Sequence, residues 1–343
     1  MSRIYLYGII EGENGAVFSS TGIDGSGPVY TVGHQRLGCV VSDYSGEGFV
    51  TMSKEKLIRS LLTHQQVVEQ VMQDHTVLPV KFGTFLSGSQ EVCGLLSQGQ
   101  RDFASALAAI RDRVEIEIAA TWDTSQVLQE ISGEQDVVRA REAITSKGQP
   151  TLEDLIKLGQ LVKARMDKRR EGYRERMLGL LTPLSVDVSP NTLVSDELVV
   201  NVAFLVNRAR QQEFDAAVQQ LNQLFQNEID FRVIGPLPPY SFSTVEISLV
   251  NRDQLDAARR TLGLPDGISE AEVRRAYRRL AAQQQRSLGS GDKVAKAEFA
   301  RSREASQLLL GYLQKGEWRD FLITIKRSEA EDLPHAPSAT VRG

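Results

Sequence analysis

The sequence has few cysteines and no long apolar run, and both absences limit what the protein can be. Cys39 and Cys93 are the only cysteines among the 343 residues, and both lie in apolar stretches. Two such cysteines argue against a disulfide framework and favour a reducing cytoplasm. No apolar run approaches the roughly 20 residues that cross a bilayer, and the N-terminus lacks the layout of a secretory signal. The sequence therefore predicts a cytoplasmic protein without a membrane-spanning segment.

An excess of positive charge is also missing, and so are the residue patterns of common catalytic sites. The formal net charge is −4, whereas nucleic-acid-binding proteins usually present a basic field. His64 and His75 are eleven residues apart, a spacing that does not suit a metal site on a helix. No nucleophile elbow, HExxH sequence or nucleotide-binding loop occurs. We therefore predict no nucleic-acid partner, no metal, no cofactor and no enzymatic activity, and an enzyme of unknown type stays only as a third hypothesis.

The first 122 residues alternate strand and helix patterns. The run from Arg3 to Ile10 is apolar without polar alternation, which predicts a buried strand. Ser53 is a favourable N-cap for an amphipathic helix that follows it. Further strands are predicted over 29–32, 37–42 and 114–122, and a second helical region over 87–113. These elements predict an α+β arrangement with a sheet on one side and helices on the other.

Two carboxylates lie close together in the strand predicted over 114–122. Glu115 and Glu117 are two residues apart, so they share one face of that strand. They alternate with Val114, Ile116 and Ile118. This alternation predicts a solvent-exposed face rather than a catalytic pair.

The segment from His75 to Leu86 reads as a strand that runs into a glycine turn. Pro79 lies inside this strand and cannot donate to a sheet ladder, so the strand should lie at a sheet edge or carry a bulge. Its neighbours are apolar, which indicates that the segment is well covered. A covered edge strand beside the turn at Gly83 and Thr84 is a candidate docking surface.

The second half of the chain repeats the order of strand, helix, strand and proline-containing turn. Residues 125–181 read as charged helices interrupted at Gly133, Gly148 and Pro150. The arginines and lysines between 163 and 176 are diluted by acidic residues, and the solvated helical face is preferred over an anion-binding surface. Strands are predicted over 197–206, 229–234 and 245–250, with an amphipathic helix over 214–225.

After Asn251 the composition changes again. Ser269 and Glu272 form a capping box that begins a helix. A second helix follows a glycine-containing loop at 289–291, which predicts a small helical hairpin with a basic first helix. The polar residues from Ser328 onwards predict a disordered tail.

Three separated motifs resemble the gas vesicle protein L/F family. They are IYLYGI at residues 4–9, HTVLPVKFGT at 75–84 and GPLPPYSF at 235–242, in that order. The resemblance covers about residues 1–250. It implies a ferredoxin-like first α/β domain and a second α/β domain with long helices. It also implies an accessory or minor structural protein of the gas vesicle, located in the cytoplasm at the vesicle, that binds the small hydrophobic shell protein and other accessory proteins.

Residues 262–281 resemble the helical core of a J-domain, a module that stimulates a chaperone ATPase through a His-Pro-Asp tripeptide. The matching positions here are Gln285, Arg286 and Ser287, so the tripeptide is missing. We therefore expect a degenerate J-like module, and a co-chaperone adaptor is the alternative function.

These expectations define four segments and one candidate binding site. The segments are 1–122, 123–252, 253–327 as the J-like module and 328–343 as the tail. Strand addition could mask a β-forming shell subunit, and the motifs supply the candidate contacts. The candidate partner-binding residues are Leu78, Pro79, Phe82, Gly83, Thr84, Gly235, Pro236, Pro238, Pro239, Tyr240 and Phe242. Equally, these residues could serve only to form turns and fill the core, and the oligomeric state is left open.

Overall fold

A computed structural model gives the fold and divides the chain into two compact units. It describes residues 3–12, 14–25, 27–46, 49, 52–146, 148–226, 228–249, 252–265, 268–288, 293–313 and 321–326. The first unit comprises Met1–Val67, Val80–Ser105 and Val245–Ile325, and the second comprises Val68–Pro79, Ala106–Thr244 and Lys326–Gly343. The tail predicted from Ser328 and the loop predicted at 289–291 lie outside the described residues. The segment boundaries predicted from the sequence stay predictions.

The described residues form a mixture of strands and helices, which confirms the α+β class. The strands are β1 Arg3–Glu11, β2 Val17–Thr21, β3 Pro28–His34, β4 Leu37–Tyr44, β5 Val77–Pro79, β6 Phe85–Leu86, β7 Arg113–Thr121, β8 Asp187–Pro190, β9 Leu198–Asn207, β10 Asp230–Leu237, β11 Thr244–Leu249 and β12 Phe321–Lys326. The helices are α1 Lys54–Asp74, α2 Ser89–Ile110, α3 Thr124–Ser132, α4 Gln135–Thr145, α5 Leu152–Leu181, α6 Gln211–Leu224, α7 Arg252–Leu262, α8 Glu270–Leu288 and α9 Lys293–Leu313. The finer expectation of a ferredoxin-like domain stays a prediction.

The first unit is organised around strand β1. Its residues from Ile4 to Ile10 are all buried, as the unbroken apolar run predicts. Strands β2, β3, β4 and β1 lie in this order, and β6 also pairs with β1. Each of these pairs is antiparallel. Strands β3 and β4 form a hairpin that turns through Gln35 and Arg36, and Gln35 has a positive φ of 55°.

The second unit is built on an antiparallel sheet of four strands in the order β10-β7-β9-β8. Helix α6 buries Phe214 and Leu221, and the Phe214 ring lies 5.3 Å from that of Phe204 on β9. The apolar spacing over 214–225 also places Leu224 on the buried face of this helix. Leu224 is instead 62% exposed at the last residue of the helix. Strand β8 was not predicted, since four residues give too short a pattern.

The basic residues of α5 hold the neighbouring helices in place. Thr151 begins α5 with a capping box to Asp154. Arg165 forms an ion pair with Asp136 at the start of α4, and Arg169 pairs with Glu130 on α3. The sequence favours a solvated face here, and Lys163, Lys168 and Arg176 are exposed. Arg165 and Arg169 depart from it, because they are half-buried and pair with acidic residues of the same unit.

Helices α7, α8 and α9 share a small apolar core. Leu255, Leu262, Val273 and Leu309 are buried together. The capping box predicted at Ser269 is present, and the Ser269 amide donates to Glu272 Oε2 over 2.8 Å. Helix α7 was not predicted, so the module has three helices where the sequence indicated two. Among the residues that the structure describes, no helix is long and apolar enough to cross a membrane.

Candidate partner-binding site

The first group of predicted site residues begins in a fully covered strand. Leu78 and Pro79 are buried within the three-residue strand β5, and the edge position expected for this strand stays a prediction. The strand is not a free edge beyond Pro79, however. The Val80 amide donates to the Tyr7 carbonyl over 2.9 Å, and the Lys81 amide donates to the Val245 carbonyl over 2.9 Å. These bonds occupy the main chain at Val80 and Lys81, so a partner strand cannot add there.

Beyond Lys81 the chain contributes to an aromatic cluster, which we define as Tyr5, Tyr44, Phe49, Phe82 and Phe85. The Phe82 ring stacks on Phe49 at 4.8 Å, and Phe85 lies 5.2 Å from Phe49. All three phenylalanines are half-buried, whereas Tyr5 beneath them is completely buried. The cluster therefore combines three partly accessible phenylalanines with a completely buried tyrosine.

Gly83 and Thr84 shape the turn that places Phe82 and Phe85. Gly83 has a φ of +88°, a conformation that favours glycine. Its amide donates to the Tyr5 hydroxyl over 3.2 Å. The Thr84 hydroxyl donates to the Lys81 carbonyl over 2.6 Å. Both residues are half-buried. Their hydrogen bonds account for these two residues as parts of a turn, and their accessible parts remain available as a surface.

His64 lies beneath the aromatic cluster as a buried, neutral side chain. Its Nδ1 atom is 2.8 Å from the Tyr5 hydroxyl oxygen, and its ring stacks on Tyr7 at 5.6 Å. Burial lowers the pKa of His64 from 6.5 to about 3. The hydrogen bond and the ring contact satisfy His64 as a core side chain. No group of three or more potential metal ligands occurs in the described part of the chain.

We expect His64 to make the first unit sensitive to acid. His64 has a pKa of 6.5 in the unfolded chain and of about 3 in the folded chain. The contribution of the neutral His64 to the free energy of unfolding is therefore fully present above pH 6.5 and is lost as the pH falls below it. The slope is about 1.4 kcal/mol per pH unit. Urea denaturation between pH 7 and 4 measures it. His64→Gln, which keeps an acceptor for Tyr5, should flatten this slope, and an unchanged slope would assign the acid sensitivity to other groups.

The second group of predicted residues surrounds the end of β10. Gly235 and Pro236 are exposed, Pro238 and Pro239 are buried, and Tyr240 and Phe242 are half-buried. The Phe242 amide donates to the Pro239 carbonyl over 3.1 Å, which closes the turn. The buried prolines therefore set the path of the chain, and the exposed residues at the start of the motif are free for contact.

A buried carboxylate anchors this turn, and sequence reasoning missed it. Glu115 on β7 is 0% exposed, so its assignment to a solvent-exposed face was wrong. Its Oε2 accepts from the Ser241 amide over 2.8 Å, and its Oε1 lies 2.7 Å from the Ser241 hydroxyl oxygen. Burial raises the pKa of Glu115 from 4.5 to about 8. The carboxyl therefore binds its proton near neutral pH, and the neutral form can donate to the hydroxyl while it accepts from the amide.

Tyr240 is the least satisfied group of the turn. Its hydroxyl is buried and has no hydrogen-bond partner. Burial raises the pKa of this hydroxyl, and the nearby carboxylates of Glu69 and Glu115 raise it further. Glu69 is half-buried, and burial raises its pKa as well. The turn therefore lies over protonatable groups, a feature that pattern reasoning could not detect.

The resemblance of the C-terminal module to a J-domain stays a prediction. Gln285, Arg286 and Ser287, which occupy the tripeptide positions, lie within helix α8. A helix at these positions does not offer the exposed loop that the tripeptide requires. The co-chaperone alternative gains no support from this arrangement.

A family model and individual relatives of this chain all point to the same protein family. The model of the gas vesicle synthesis protein GvpL/GvpF family matches residues 3–244. Gas vesicle protein F of Streptomyces sp. (strain CB03234) is 31% identical over 185 residues, which are 54% of this chain and 77% of that protein. Gas vesicle protein F of Haloferax mediterranei is 28% identical over 248 residues, which are 71% of this chain and 95% of that protein.

Solved structures support the same fold. The crystal structure of the gas vesicle protein GvpF from Anabaena sp. PCC7120 has a TM-score of 0.62 and 24% identity, and the match covers 70% of this chain and 97% of that one. GvpF from Microcystis aeruginosa has a TM-score of 0.58 and also 24% identity, with coverage of 69% and 97%.

Proposed function

The chain belongs to the gas vesicle synthesis protein GvpL/GvpF family, and from that membership we propose that it is an accessory protein that binds the hydrophobic shell protein and other accessory proteins during gas vesicle formation. The family and the named relatives support a role in gas vesicles. A structural or accessory role in the cytoplasm fits this family better than catalysis. Binding of the shell protein is the finer step that the following observations support.

The aromatic cluster is the observation that carries the proposal. Phe49, Phe82 and Phe85 are each half-buried on the first unit, so part of each residue is accessible. The guanidinium of Arg3 lies 4.8 Å from the centre of the Phe85 ring. Aromatic side chains beside an arginine are typical of the residues that contribute most to protein interfaces. An apolar shell subunit would bury what these aromatic residues leave accessible.

The predicted site residues divide into contacts and supports. Leu78, Pro79, Pro238 and Pro239 are buried, so we assign them to the shape of the second unit, in which all four lie. The remaining seven are the proposed contacts, namely Phe82, Gly83, Thr84, Gly235, Pro236, Tyr240 and Phe242. Phe82 is the sharpest test among them, because it is a partly accessible aromatic residue in the motif at 75–84.

Phe82→Ala should reduce capture of the shell protein by about tenfold. Loss of one well-placed aromatic side chain at an interface removes roughly 1.4 kcal/mol or more of binding free energy. The experiment co-expresses the tagged full chain with a gas vesicle shell protein and measures the amount captured. Leu224→Ala is the matched control, since Leu224 is an exposed apolar residue on the second unit and should not affect capture.

Two outcomes would contradict the proposal. No capture by the wild-type chain would overturn shell binding itself. Unchanged capture by a folded Phe82→Ala variant would remove the aromatic cluster from the binding site. Denaturation curves of both variants show whether the fold is intact, and Phe82→Leu, which retains apolar area, should recover part of the binding.

A further inference from the structure

The two edges of the sheet in the second unit are very different. Strand β8 at one edge has four residues and ends in Pro190, and a short strand with a proline is a usual protection against unwanted pairing. Strand β10 at the other edge has eight residues and pairs only with β7 among the described strands. Its residues from Asp230 to Ile234 pair with β7 without a register shift. This regular run is an open template for a further strand.

The side chains of β10 are unusually exposed for a strand of this sheet. Val233 is 45% exposed, Arg232 is exposed, and Phe231 and Ile234 are half-buried. Alternate residues of a strand face opposite sides, so Phe231 and Val233 share one side and Arg232 lies on the other. The Phe231 ring stacks on Phe225 at 6.5 Å, which fixes the apolar side of the edge.

The open run has a defined end. A register shift separates Ile234 from Leu237, and Gly235 and Pro236 lie between them. Pro236 has no amide hydrogen to donate. The main chain therefore offers about five residues for pairing, and a segment added there must end or turn at Gly235.

We propose that β10 from Asp230 to Ile234 binds an extended segment of the shell protein as an added strand. The proposal rests on the proposed function and supplies its mode of binding. The outward amides and carbonyls of alternate residues bond to the main chain of the partner. A partner residue beside Phe231 and Val233 is apolar, and one beside Arg232 is acidic or polar. The segment therefore alternates apolar and polar residues, with a carboxylate matched to Arg232.

The first test places a charge on the apolar side of the edge. Val233→Lys should reduce the shell protein captured by the tagged full chain by about tenfold, because a lysine on an edge strand opposes pairing. Val233→Thr keeps a β-branched residue and the main chain, so it should capture nearly the wild-type amount. Leu224→Lys is the matched control, since it places the same charge at an exposed leucine of the same unit.

The second test reads the main chain directly. Hydrogen exchange of the co-purified complex should slow at alternate amides of residues 230–234 relative to the chain alone, whereas a contact through side chains only would leave these amides unchanged. Arg232→Glu should weaken capture several-fold at low salt, and the difference should shrink as the ionic strength rises.

The outcomes separate this inference from the proposed function. Absence of capture by the wild-type chain overturns both. Capture that survives Val233→Lys, without slowed exchange in β10, overturns strand addition and leaves shell binding intact. Slowed exchange that appears in the chain alone as its concentration rises would assign the edge to pairing between two copies and would overturn the proposal. Loss of capture in Val233→Lys together with protected alternate amides supports it.

Discussion

Alanine at Gly235 is expected to lower the free energy of unfolding by about 3 kcal/mol or more. Gly235 has a φ of +142°, a conformation that side chains rarely adopt, and an added Cβ would lie 2.8 Å from the Glu115 carbonyl oxygen. Strained backbone of this kind costs about 1–3 kcal/mol, and overpacking adds a similar amount. The obstructing atom belongs to the main chain of β7, so it cannot move aside without disturbing the sheet.

Two other glycines of the second unit separate these effects. Gly148 has a φ of +84° and no atom within 4 Å of an added Cβ, so Gly148→Ala measures the backbone effect alone. Gly172 lies inside α5 with open space around it, so alanine there should be neutral or stabilising by up to about 1 kcal/mol. Urea denaturation of the three variants gives the comparison. Equal losses at Gly235 and Gly148 would show that the close approach to Glu115 does not matter.

Local signals in the sequence predicted much of the fold. The apolar run from Ile4 to Ile10, the capping box at Ser269 and the helical periodicity of α6 each depend on residues a few positions apart. Such patterns can be read from the sequence alone, because the burial or capping that they reflect depends on residues of one helix or strand. The structure confirms these elements, with errors at ends such as Leu224.

Features that depend on distant partners could not be predicted. Glu115 alternates with apolar residues as an exposed strand residue would, but its partner Ser241 is 126 positions away in the chain. The ion pair of Arg169 with Glu130 spans 39 positions. A single sequence contains no signal that joins such residues, so these assignments failed for the same reason.

The motifs that carry the family resemblance have a double role in the structure. Gly83 allows a turn that side chains disfavour, and Pro238 and Pro239 are buried. These residues were proposed as contacts, but their surroundings already account for their identity. The surface that remains is the accessible part of the aromatic cluster and the strand that precedes Gly235. The best candidate contacts therefore lie beside the motifs, at Phe49, Phe85 and Val233, as well as within them.

Glutamine at Glu115 is expected to remove most of the alkaline sensitivity of the second unit. The folded chain holds the Glu115 proton to about pH 8, whereas the unfolded chain releases it near pH 4.5. Stability is therefore complete below pH 4.5 and falls as the pH rises towards 8, with a slope of about 1.4 kcal/mol per pH unit. Glu115→Gln mimics the neutral carboxyl, because its amide can donate to the Ser241 hydroxyl and its oxygen can accept from the Ser241 amide.

Denaturation from pH 5 to 9 distinguishes glutamine from alanine at this position. Glu115→Gln should match the wild type at pH 5 and exceed its stability at pH 9, by at least about 2 kcal/mol on the slope above. Glu115→Ala should be less stable than the wild type at pH 5 by about 3 kcal/mol, because it leaves the Ser241 amide and hydroxyl without a buried acceptor. Glu117, Tyr240 and Glu69 also face this carboxyl or the turn that it anchors, and burial of Glu69 leaves a smaller slope of the same sign. If the stability of Glu115→Gln fell with rising pH as steeply as that of the wild type, the alkaline sensitivity would belong to those groups and not to Glu115.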